Sequence, residues 1–214
     1  MFEPWMIVAV FSALIVTSAT VRLRKLYAIH NAPLPVGLRI KLERRFPQYS
    51  RAQIDEVVTG LRDWFHISYL AKRRVVAMPS RSVDEAWHEF ILFTRQYRDY
   101  CDKTLGRFLH HVPAEAMHSQ REAQEGVRRA WRLACARERI DPHKPKRLPR
   151  LFALDARLAF PAGFVYVLDC AAAGQNAAGV PYCASSIGCT SSCGGGSDGS
   201  SDGGGDGGGG CGGD

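Results

Sequence analysis

Asp84 and His88 stand four residues apart within VDEAWHEFILFTRQYRDYCDKTLGRFLHHVP, which runs from Val83 to Pro113. On a helix that spacing is one turn, so the carboxylate and the imidazole can meet on one face. Such a pair suits metal chemistry in two ways. The carboxylate can orient the ring while the other ring nitrogen takes the metal, or both side chains can be ligands. His110 and His111 follow a few residues later, and a turn near Gly106 can bring one of them back; His118 is a further candidate. Asp84, His88 and one or two of His110 and His111 form a ligand set suited to zinc or a similar cation. The competing reading is bland. His88 is then solvated or hydrogen-bonded to Asp84, and the His pair caps a helix end, where imidazolium is favourable against the dipole. Neither H-E-x-x-H nor C-x-x-C occurs to decide between them.

The remaining residues of this stretch point to packing. At about 100° per residue on one continuous helix, Ala86, Trp87, Phe90, Phe93, Tyr97, Tyr100 and Cys101 fall in an arc opposite His88. Trp87, Phe90, Tyr97 and Cys101 are therefore expected to be structural core. Cys101 lies roughly 140° from His88 on such a helix, which removes it from a shared metal site. Cys101 and Cys135 read as buried thiols, unsuited to nucleophilic chemistry, and no catalytic residue is assigned. Cys183, Cys189 and Cys193, spaced x5 and x3, are loose for a zinc knot.

These residues need a scaffold. Pro35 can open a short helix through VGLRIKLERRF that Pro47 ends. Ser50 can cap an amphipathic helix with Ile54, Val57, Val58, Leu61, Trp64 and Phe65 on its buried face. Ser82 with Glu85 reads as a capping box opening the helix that carries Asp84 and His88, and Gly106 as its terminator. Pro113 can open a helical region in which Val127, Ala130, Trp131, Ala134 and Cys135 share a face, with Gly126 as a point where it divides. RLFALDARLAF reads as a short helix and GFVYVLDC as an extended segment.

The two ends differ from this body. From Trp5 to Val21 no residue is charged, Glu3 precedes the run, and Arg22, Arg24 and Lys25 follow it. Seventeen such residues sit at the short end of what spans a bilayer. The basic flank predicts a single-pass anchor at a bacterial inner membrane, with the body on the cytoplasmic side. Cytoplasmic cysteines would be mostly reduced. At the other end, the last 21 residues hold thirteen glycines and four aspartates with no base, a composition that predicts disorder. Without that end the chain carries 28 basic against 17 acidic residues, within a total net charge of +7. The basic body suits an anionic lipid surface; no recognition motif accompanies the charge, so nucleic acid is not the expected partner.

The segments MPSRSVDEAWHEFILFTRQYRDYC, GRFLHHVP, RAWRLAC and LPRLFALD, followed by a Cys- and Gly-rich tail, resemble bacterial relatives of the glycine-rich domain-containing protein-like family over roughly residues 35–170. The resemblance pairs Asp84 with His88, Tyr97 with Cys101, and His110 with His111. It implies a domain type and no established activity. The expected architecture is mainly α: an N-terminal membrane anchor and flank (1–29), a small helical bundle (30–170) and a disordered Cys/Gly-rich tail (171–214). The expected function is a non-enzymatic interaction or scaffold module at the cytoplasmic membrane face, with membrane contact through residues 5–21. The alternative is a metal-binding domain, or metal-dependent hydrolase, using Asp84, His88 and His110 or His111, with zinc as the cofactor. The sequence names neither a protein partner nor an oligomeric state.

Overall fold

The computed structural model describes residues 4–112, 120–168, 182–184 and 187. Among them the chain is mainly helical, with α1 Pro4–Asn31, α2 Val36–Arg45, α3 Arg51–Leu70, α4 Arg81–Ile91, α5 Thr94–Thr104, α6 Gln120–Glu138 and α7 Arg150–Arg157. Two short strands, β1 Tyr166–Val167 and β2 Tyr182–Cys183, pair in parallel, with Tyr166 opposite Tyr182.

α3 is the central post. Its Ser50 cap accepts from the Gln53 backbone N–H, and the Gln53 side chain reaches back to the Ser50 N–H, closing a capping box. Ile54, Val57, Leu61, Trp64, Phe65 and Ile67 are buried along it, and α1, α2, α4, α6 and α7 all pack against it. That many neighbours need close approach. At Gly60 a Cβ would stand 2.8 Å from Val83 Cγ2 on α4 and 2.9 Å from Leu154 Cδ2 on α7. Gly126 has a similar role on α6. Contrary to the expected division there, α6 is continuous, and a Cβ at Gly126 would stand 3.0 Å from the Ala77 backbone nitrogen. A residue that costs helix propensity is tolerated because it lets another segment touch the helix.

The expected single helix from Ser82 towards Gly106 is two. α4 ends at Ile91, Leu92 is 64% exposed, and α5 restarts after Phe93. The start also lies earlier than expected. Ser80 is the cap, its Oγ accepting from the Val83 N–H at 3.3 Å. Ser82 instead donates its hydroxyl to Asp155 of α7 at 2.7 Å, and Glu85 ion-pairs with Arg45 at 3.0 Å. Asp155, only 2% exposed, gathers the first turn of α4. Its Oδ1 also accepts from the Ser80 hydroxyl (2.7 Å) and the Ser82 N–H (3.1 Å), and its Oδ2 from the Arg81 N–H (2.7 Å) and Phe164 N–H (3.0 Å). A carboxylate at a helix N-terminus is favoured both by the orphan donors and by the dipole.

At the N-terminal end, the uncharged run and its basic flank form one helix, so the expected boundary after residue 29 falls inside α1. Among the described residues no helix is long and apolar enough to cross a membrane. The described side chains from Trp5 to Arg24 are all exposed, including Val8, Phe11, Leu14, Ile15 and Val16. From Lys25 onward α1 docks on the body. Lys25 Nζ donates to the Asp102 and Lys103 carbonyls at the end of α5, at 3.2 and 2.6 Å. Arg62 donates to the carbonyls of Ile29 and Ala32, both at 2.9 Å, and the Tyr100 hydroxyl donates to Ile29 O at 2.9 Å. His30 Nε2 lies 2.9 Å from His66 Nδ1. Burial, with the Arg137 guanidinium beside them, pushes both rings down to about 4, so at neutral pH they meet as uncharged hydrogen-bond partners.

Beyond residue 170 the expected tail lies mostly outside the described residues. Part of what is described belongs to the body: Tyr182–Cys183 forms β2, Ala184 is fully buried and Ile187 packs against the core. Cys183 is disulfide-bonded. The expectation of mostly reduced cysteines does not hold at this position.

Candidate metal centre

α4 divides its surface cleanly. Val83, Ala86, Trp87 and Phe90 are buried, while Asp84 and His88 lie at the opposite edge, one turn apart. Trp87 fixes the helix rotation by packing on Trp64 and Phe65, with ring centroids 5.5 and 6.4 Å away. Phe90 meets Tyr97 and Tyr100 edge-on across the α4–α5 break. The expected core residues Trp87, Phe90, Tyr97 and Cys101 are all buried.

The chain then comes back to α4. Gly106 adopts φ +70, its N–H bonding the Cys101 carbonyl at 2.9 Å, and ends α5 in a conformation that glycine adopts without strain. Along residues 108–111 the side chains alternate. Phe108 and His110 face one way, their rings 4.7 Å apart, and His110 is exposed. His111 faces the other way, its ring 4.8 Å from Trp87 and 4.2 Å from His88. The alternation decides which member of the His pair joins the site. His111 joins it; His110, expected as a ligand candidate, does not. His118 lies outside the described residues.

Asp84 sits between the two rings. His111 Nε2 is 3.2 Å from Asp84 Oδ1, and His88 Nδ1 is 3.8 Å from Asp84 Oδ2. One ligand atom from each of Asp84, His88 and His111 lies within 4.8 Å of the others. Ligand atoms around a tetrahedral zinc, each about 2.0–2.1 Å from the metal, lie about 3.3 Å apart. The three side chains therefore need only small rotations to converge on one cation. Glu85 and Glu89 are neutralised by Arg45 and Lys41. Asp84, by contrast, pairs with no Arg or Lys among the described residues; its carboxylate faces the two imidazoles. The Asp84 side chain is 31% exposed, His88 47% and His111 20%, so the cluster opens to solvent on the His88 side.

The thiols do not take part. Among the described residues Cys101 and Cys135 are free and buried. Burial pushes both thiols up, Cys135 to about 12.

The UCP032817-like family model matches residues 24–187. The chain belongs to the UCP032817-like family. The UCP032817-like segment contains Asp84, His88 and His111 with every element that positions them, and it also takes in β2. It begins at Arg24, after the uncharged run, and ends before the glycine-rich end. No curated protein and no solved structure matches the chain.

Proposed function

We propose that the UCP032817-like segment is a binding domain for a zinc-class divalent cation, held by Asp84, His88 and His111. The observation that carries this reading is the convergence of three ligand atoms from two chain segments to within 4.8 Å. Two imidazoles and one carboxylate are hard-to-borderline donors suited to zinc and its neighbours, and three protein ligands leave a position for water or another ligand. The reading is one of binding; hydrolysis by a water at that open position is the finer alternative. In the test, the 214-residue chain is purified without an affinity tag, stripped with chelator, dialysed against zinc and analysed by elemental mass spectrometry. One zinc per chain is expected, and less than a tenth of that would end the proposal.

The second reading concerns α1. We infer that residues 5–21 attach the domain to a membrane, where it would also serve as an interaction platform. An apolar helix exposed on all sides needs a cover, and lipid supplies one. Seventeen residues rise about 25 Å, less than the ~30 Å hydrocarbon core, so Trp5 at one end and Arg22 at the other would sit close to the headgroups. The whole chain should stay in the membrane pellet after a carbonate wash, and deleting residues 2–21 should release it to the supernatant. Recovery of the whole chain in the wash would remove this reading.

A further inference from the structure

A hydrogen-bond relay joins the chain beside His88 to the chain beside His111. Trp87, the residue before His88, donates its indole N–H to the Tyr97 hydroxyl at 3.0 Å. Tyr97 in turn donates to the Leu109 carbonyl at 2.5 Å. Two residues on, the His111 ring lies against the Trp87 indole. The same indole therefore starts the relay and forms the wall against which His111 rests. Gly106 turns the chain, Arg107 ties it to the Ser68 carbonyl of α3 at 3.3 Å, and the Tyr97 hydroxyl sets where Leu109 sits.

We infer that Tyr97 is the positioning residue of the metal centre, its hydroxyl joining Trp87 to Leu109 so that His111 is held at ligand distance from Asp84 and His88. This rests on the proposed metal reading. Loss of a side chain that orients a metal ligand without itself binding the metal typically weakens metal binding about 10–100-fold. Tyr97 suits that role. It is 1% exposed, and burial pushes its phenol up, so it remains a donor at any physiological pH.

The test compares Tyr97→Phe with Thr104→Val in the full-length chain. Thr104 is buried on the same helix and donates to the Tyr100 carbonyl at 2.7 Å, with no link to residues 108–111. Zinc affinity is measured by competition with a chromophoric chelator, and geometry by the cobalt(II) absorption spectrum. Tyr97→Phe should raise the zinc Kd about 10–100-fold and change the cobalt spectrum, whereas Thr104→Val should leave both as in wild type. A merely structural Tyr97 would lower the melting temperature and leave the Kd and spectrum alone, and that result would overturn the inference. If Tyr97→Phe does not fold, Trp87→Phe keeps a ring against His111 and removes the relay's first donor, with the same outcomes expected. A wild-type chain that takes up no zinc would instead fail the metal reading itself, which separates the two.

Discussion

Replacing either His88 or His111 by alanine is expected to abolish stoichiometric zinc binding, while His110→Ala leaves it unchanged. Removing one of three protein ligands should cost more than the ~10–100-fold typical of losing a side chain that only orients a ligand. The contrast within the His pair is the sharper part, because adjacent residues of identical type are expected to differ completely. His111 lies 3.2 Å from Asp84, whereas His110 is exposed against Phe108. Stability controls follow from burial. His88 is half-exposed, so its truncation should stay within about 0.5 kcal/mol of wild type. His111→Ala also loses the contact with Trp87 and should cost about 1 kcal/mol. Zinc binding to wild type should weaken on acidification, since protons compete for both imidazoles. Titration calorimetry of the three variants checks the set, and equal losses for His110→Ala and His111→Ala would show that the site is misassigned.

Asp155→Ala should destabilise the fold by about 3–5 kcal/mol, as much as truncating a large core side chain. The carboxylate accepts five hydrogen bonds, from two serine hydroxyls and three backbone N–H groups, and is 2% exposed. Truncation removes the acceptor of all five; the Ser80 and Ser82 hydroxyls keep only each other, at 3.0 Å, and each buried donor left unpaired is worth about 1–3 kcal/mol before relaxation and water entry reduce the sum. It also uncaps α4. Against a typical domain stability of about 5–15 kcal/mol this is a large fraction. Asp155→Asn should fall between, because an amide keeps the shape but turns an NH2 towards donors. Urea unfolding followed by far-UV circular dichroism measures both, and a loss below about 1 kcal/mol for the alanine variant would show that water replaces the carboxylate.

The position of Asp155 explains much of what could and could not be read from the chain. Local signals served where the partner is local: Ser50 with Gln53 marks the start of α3, and its apolar spacing names Ile54, Val57, Leu61, Trp64 and Phe65 correctly. Ser82 with Glu85 follows the same pattern and misleads, because Ser82 bonds a carboxylate 73 residues away. The break at Leu92–Phe93 carries no glycine or proline, so the helical phase of α4 was carried too far. Within α4 it held, and Asp84 and His88 share a face as expected. Choosing His111 over His110 required the alternation set up by Gly106 and the relay through Tyr97, both matters of tertiary placement. The Gly126 signal was real but had the opposite meaning, since nothing local announces that Ala77 comes to rest against it.

The docking of α1 from Lys25 to Ala32 has a mechanical consequence. There is no swivel between the apolar run and the body: Lys25, Arg62, Tyr100 and the His30–His66 pair fasten one unbroken 28-residue helix to α3 and α5. The angle of α1 in its surroundings therefore sets the compass bearing of the Asp84–His88–His111 face. Inserting one residue between Val21 and Leu26 would turn that face by about 100° around the helix axis and move it about 1.5 Å along it.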